Sequence, residues 1–95
     1  MDTSDIRSSE GGEVKLTSIA ANQTELEYSD GVTILYSYST PVAAFVPGVG
    51  ACCTTKHYSA TTSRHINAAV TRWGASRHNV EQVEIDLLAE RRAAV

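Results

Sequence analysis

Ser29-Asp30-Gly31-Val32-Thr33-Ile34-Leu35-Tyr36-Ser37-Tyr38-Ser39-Thr40-Pro41 is the stretch that decides the fold. Asp30-Gly31 accepts the positive φ angles of a tight hairpin, so the chain is expected to reverse there. The residues that follow alternate strictly. Val32, Ile34, Tyr36 and Tyr38 fall on one face, and Thr33, Leu35, Ser37 and Ser39 on the other. These residue types are the favoured ones for a pleated surface. Pro41 has no N–H to give to a ladder and marks a strand end or an edge.

On the N-terminal side, Glu13 to Thr17 and Glu25 to Tyr28 show the same period of two, separated by the turn-like Ala20-Ala21-Asn22-Gln23. On the C-terminal side, Val42 to Val46 reads as a short strand, Pro47-Gly48-Val49-Gly50 as a turn, and Ala51 to Tyr58 as a fifth strand. Residues 1–12 are polar, end in Gly11-Gly12, and are expected to form a flexible leader to a single domain over 13–95.

The period changes after Tyr58. Ile66, Ala69, Val70 and Trp73 lie at i, i+3, i+4 and i+7, one apolar stripe of a helix. Any of Thr61, Thr62 or Ser63 is a candidate N-cap, and Gly74 suits the C-terminal end. Ala75 to Asn79 reads as a loop. A second helix is expected from about Glu81, with Ile85, Leu87 and Leu88 on its apolar face, although Val80 to Ile85 also fits a strand.

The expected architecture is therefore α+β: an antiparallel β-meander of about five strands followed by two C-terminal helices packed on one face. The Ile66–Trp73 stripe would cover Val32, Ile34, Tyr36 and Tyr38, with Trp73 the largest contributor. Leu35 and Phe45 on the other face would then need cover from the second helix, the leader or a partner, which leaves a homodimer open.

The formal net charge of the 95 residues is −3, which bears on solubility rather than fold. Its distribution says more. Residues 1–50 carry seven acids and two bases, and residues 51–95 four acids and six bases. Between Lys56 and His78 stand four bases, three histidines and no acid. No apolar run reaches the roughly 20 residues of a membrane span, so no membrane partner is expected. Cys52 and Cys53 are adjacent and too constrained on a strand to bond each other, which reads as reduced thiols in a cytoplasmic protein.

Ser37-Tyr38-Ser39-Thr40-Pro41-Val42-Ala43, then Thr55, then Tyr58-Ser59-Ala60-Thr61-Thr62-Ser63-Arg64-His65-Ile66-Asn67, resembles an uncharacterised domain family found mainly in small proteins of bacteriophages and prophages. Where that family often carries Gly, this chain has Ser39. The resemblance implies a phage or prophage origin, and hence the cytoplasm of an infected or lysogenic bacterial host. Small acidic phage proteins of this kind are often inhibitors of host antiviral defence, anti-CRISPR proteins among them. The expectation is a non-catalytic protein that binds a host or phage protein complex, with a phage structural or assembly role as an alternative.

The densest polar cluster is Thr61-Thr62-Ser63-Arg64-His65, extended by Asn67. Hydroxyls, a cation and an imidazole at a helix N-terminus suit an anionic group of a partner, while helix capping alone explains the hydroxyls. A nucleic-acid-binding alternative would use Lys56, Arg64, Arg72 and Arg77. Neither the cysteines nor His57, His65 and His78 have zinc-site spacing, so no metal or other cofactor is expected. A vicinal cysteine pair in a Val/Ala/Thr-rich strand packs as small apolar side chains, and no enzyme is expected. Glu25, Glu27 and Asp30 read as a solvated, aggregation-resistant edge.

Overall fold

A computed structural model of the protein describes residues 14–20 and 22–93. The leader expected over 1–12 lies outside the described residues. The element order is β1 (Val14–Ala20), β2 (Gln23–Tyr28), β3 (Thr33–Ser37), β4 (Thr40–Val46), β5 (Gly50–Thr54), α1 (Ala60–Trp73), β6 (Arg77–Val80) and α2 (Gln82–Ala93). The strands form one sheet in chain order, antiparallel from β1 to β5, and β6 adds parallel to β5. This is the expected α+β fold with one strand more.

The hairpin at Asp30-Gly31 forms, but only Gly31 takes a positive φ, 89°. Asp30 accepts the Val32 N–H at 3.1 Å and pairs with Arg92 of α2 at 2.7 Å. Partial burial raises its carboxyl, but the Val32 N–H and Arg92 outweigh that and hold it below the usual value. The β3–β4 turn comes earlier than the alternation implies. Tyr38 leaves the strand with φ 60° and is exposed, and its N–H bonds to the Asn22 carbonyl at 2.7 Å.

The two helices lie on opposite faces of the sheet, which corrects the one-face arrangement. Leu35, Ala43 and Cys53 are cross-strand neighbours on one face, and α1 covers them with Ile66 and Ala69. Ile34 and Ala44 are neighbours on the other, and α2 covers them with Ala89 and Leu88. The stripe on α1 therefore buries the Leu35 face, not the Ile34 face. The reason lies in β3, where Ile34 and Leu35 are consecutive, large and apolar. A single helical layer would have left one of them in water, and both are 0% exposed. The register shift between Leu35 and Tyr36 leaves Val42 as the extra residue of a bulge, so that Val42 and Ala43 both join the α1-side core.

Trp73 is half-buried rather than central. Its ring meets Phe45 with centroids 6.0 Å apart, at the margin of the α1-side core. The largest fully buried side chains are Ile34, Leu35, Ile85, Val42 and Cys53. α1 ends as expected, with Gly74 at φ 63° donating to the Thr71 and Val70 carbonyls.

The segment expected to be a loop, Ala75 to Asn79, contains most of β6. The Ser76 carbonyl accepts the Ala51 N–H at 2.7 Å, and the Val80 carbonyl accepts the Thr55 N–H at 2.9 Å. Strand β5 is correspondingly shorter than expected and stops at Thr54. The ambiguous run Val80–Ile85 divides, with strand up to Val80 and helix from Gln82.

Candidate functional site

α1 packs on the Leu35 face of the sheet, with its first turn between β3 on one flank and β5–β6 on the other. Its N-cap is Ser59, not Thr61, Thr62 or Ser63. The Ser59 hydroxyl accepts the Thr62 N–H at 3.1 Å, so the cap stands two residues before the first hydroxyl of the cluster. The hydroxyl of Thr62 is thereby left for the sheet. It lies 3.3 Å from Ser59 Oγ and 3.0 Å from Ser37 Oγ, and Ser37 Oγ lies 2.9 Å from His65 Nδ1. Ser59, Thr62, Ser37 and His65 thus form one continuous polar chain that pins the helix to β3. Thr62 and Ser37 are buried.

The cluster read from the sequence therefore splits by direction. Thr62 and His65 turn inward and hold the fold. Thr61 and Arg64 turn outward and bond each other at 3.3 Å. Ser63 faces the opposite flank, toward β5 and β6. Two exposed tyrosines frame the helix end, Tyr38 with its ring 6.3 Å from that of His65 and Tyr58 with the Lys56 ammonium 5.1 Å above its ring. Residues 31–80 contain no carboxylate side chain, so this surface is cationic and aromatic with no acid from its own segments.

The four cations proposed from sequence do not form one group. Arg72 is paired with Glu25 of β2, so its charge is already met and Glu25 is not the solvated edge residue the sequence implied. Arg64 points to solvent. Lys56 and Arg77 converge on an open cleft of about 300 Å³ that is also lined by Thr54, Thr55, His57, Ser63, Ile66 and Asn79. Asn67 is placed there indirectly, since its side-chain oxygen accepts from Arg77 at 2.7 Å. Sequence reading missed His57 and Asn79 in this group. The signal was the polar run Arg77-His78-Asn79, which looks like a loop until β6 pairs with β5.

Cys53 is buried under α1, and Cys52 is half-buried on the α2 side. Burial raises both thiols above their ordinary value. For Cys52 the nearby Glu84 adds to this, and for Cys53 Arg77 partly opposes it. Both are therefore poor thiolates near neutral pH. Among the described residues no three of His, Cys, Asp and Glu come together as a metal site. No helix among the described residues is long and apolar enough to cross a membrane.

Partial burial lowers the His65 pKa from its ordinary 6.5, and the Arg64 charge lowers it further. The native state therefore prefers the neutral imidazole. Acidification favours the unfolded chain, which takes up the proton more readily. The stabilisation is present above roughly pH 6.5 and is lost as pH falls through the native value. Urea midpoints of the wild type are expected to drop across that window, and those of His65→Gln to drop measurably less. Parallel curves would mean that His65 does not report the junction.

The model of a family of unknown function, DUF8033, matches residues 14–86, from the start of β1 into α2. The match takes in the junction, the cleft and both exposed tyrosines. No curated protein and no solved structure matches the chain.

Proposed function

We propose that this chain, which belongs to the DUF8033 family of unknown function, acts without catalysis as a binding protein. It is encoded by a bacteriophage or prophage and works in the cytoplasm of the bacterial host. Its partner is a host protein complex, in the manner of small inhibitors of antiviral defence such as anti-CRISPR proteins. The phage and host part of this reading rests on the resemblance of the Ser37–Asn67 pattern. The binding part rests on one observation: exposed Tyr38 and Tyr58 flank Thr61 and Arg64 around the first turn of α1 on an acid-free stretch of chain. Tyr and Arg are enriched among residues that dominate protein interfaces, because each offers a large, stiff contact area with a polar tip. The partner surface expected opposite them is acidic.

Affinity capture from a bacterial host lysate, read by mass spectrometry, tests this. The wild type is expected to retain a defined protein complex that Tyr58→Ala with Arg64→Glu does not. Recovery of the same proteins by both would remove the surface from the reading, and recovery of none would remove the reading. A second reading, as a nucleic-acid-binding accessory protein, is favoured by Lys56 and Arg77 sharing a cleft. It requires binding that falls steeply with salt in a mobility-shift assay. Arg72, committed to Glu25, would not contribute.

A further inference from the structure

Among the described residues, three arginines are held by side-chain acceptors of distant segments, and only one of them is held without being neutralised. Arg72 and Arg92 each meet a carboxylate, of Glu25 and Asp30. Arg77 instead donates Nε–H to the Asn79 side-chain oxygen at 3.2 Å and Nη1–H to that of Asn67 at 2.7 Å. Two neutral amide oxygens fix the plane of the guanidinium, and no carboxylate among the described residues pairs with its charge. Of its five N–H donors, two are used. The rotamer entropy normally spent when an arginine grips an anion has already been spent in folding.

The surroundings agree with that reading. Arg77 lines the cleft of about 300 Å³ with Lys56, His57, Ser63, Thr54 and Thr55, whose side chains carry an ammonium, seated over the Tyr58 ring at the rim, an imidazole and three hydroxyls. The loop carrying Lys56 and His57 is tied at its start, since the Thr54 hydroxyl accepts the Lys56 N–H at 3.1 Å and the Val80 carbonyl accepts the Thr55 N–H at 2.9 Å. The volume lies at the low end for small-ligand sites, enough for an anionic group and part of what carries it.

We infer that this cleft is a receptor for a phosphate group, clamped between Arg77 and Lys56 and hydrogen-bonded by Ser63. Two cations and several hydroxyl donors in one cleft match a tetrahedral dianion better than a singly charged planar carboxylate. The inference stands on the β5–β6 flank and does not depend on a protein partner for the α1 surface.

Backbone amide NMR of the full chain tests it, at constant ionic strength and at a pH above the second phosphate ionisation, roughly 6 for a monoester. Inorganic phosphate and a nucleoside monophosphate are titrated separately, with acetate as the carboxylate arm and a short single-stranded oligonucleotide as the diester arm. Saturable shifts confined to Thr54–His57, Ser63 and Arg77–Asn79 are expected. If inorganic phosphate alone produces them the site takes the free ion, and tighter binding of the monophosphate marks a phosphomonoester site. Arg77→Gln should weaken binding by roughly tenfold or more, as loss of a charge-assisted pair does. Arg64→Gln, which removes an equal charge from the neighbouring surface, should change it by less than about twofold. An unchanged melting temperature shows that Arg77→Gln is folded. If it is not, Lys56→Gln on the exposed loop gives the same readout. Diffuse unsaturable shifts, equal losses in Arg77→Gln and Arg64→Gln, acetate binding as tight as phosphate, or binding of the oligonucleotide alone would each overturn the assignment.

Discussion

Ile34→Ala and Leu35→Ala are each expected to cost about 2–5 kcal/mol of stability, the range for truncating a fully buried aliphatic side chain. Both residues are 0% exposed, on opposite faces of β3. The value of the pair is that they separate two architectures. With both helices on one face, one of these neighbours would be solvated, and its truncation would stay within about 0.5 kcal/mol. With α1 and α2 on opposite faces, both truncations are severe. Each kcal/mol lowers the melting temperature of a domain this size by roughly 4–8 °C. Thermal unfolding followed by circular dichroism therefore reads the difference directly. Combining the two substitutions removes most of the roughly 5–15 kcal/mol that holds a typical domain folded. The double variant is expected to be largely unfolded at ambient temperature. A single variant of either residue that melts within a few degrees of the wild type would contradict the three-layer arrangement.

Gly50→Ala is the second large effect. Gly50 opens β5 with φ 132°, a backbone region that L side chains rarely adopt. A Cβ at this position would stand 2.5 Å from the Ser76 carbonyl oxygen and 3.1 Å from the His78 ring. The first contact is with backbone and cannot be relieved by a rotamer change. Strain and overpacking together are expected to cost about 3 kcal/mol or more. The damage should also be local. The Ser76 carbonyl is the one that accepts the Ala51 N–H, so pushing it away loosens β6 from β5. Hydrogen exchange at Ala51 and Thr55 should accelerate more than at β3 amides, and phosphate binding at the Arg77 cleft should weaken with it. Gly48→Ala is the control, since φ is also positive there, 84°, but nothing lies within 4 Å of the added methyl. It should cost only about 1 kcal/mol for the backbone. Equal losses from the two substitutions would mean that the approach of Ser76 to Gly50 is not a constraint.

Much of this molecule can be read from local pattern. The alternation through β3, the reversal at Asp30-Gly31, the stripe Ile66–Ala69–Val70–Trp73 and the stop at Gly74 are each set by residues within a few positions of one another. Period and turn chemistry act at that range. The hydroxyl cluster in the first turn of α1 was equally legible as a helix start. Which hydroxyl caps and which ones bond the sheet was not, because Ser37 lies 25 residues before Thr62 and 28 before His65.

The sequence by itself determined the meander, the two helices, the α+β class and the acid-free segment that supplies the cationic surface. Only the tertiary structure decided three things. It made a strand of Arg77-His78-Asn79-Val80, a run with no apolar period, because the free N–H and C=O groups at the edge of β5 needed partners. It put the helices on opposite faces, because consecutive buried side chains on one strand point to opposite sides. And it separated Arg72 from Arg77, sending one to the Glu25 carboxylate and the other to two neutral amides. Charges that look alike along the chain differ in the fold because an ion pair depends on what lies across space, here 47 residues away for Arg72.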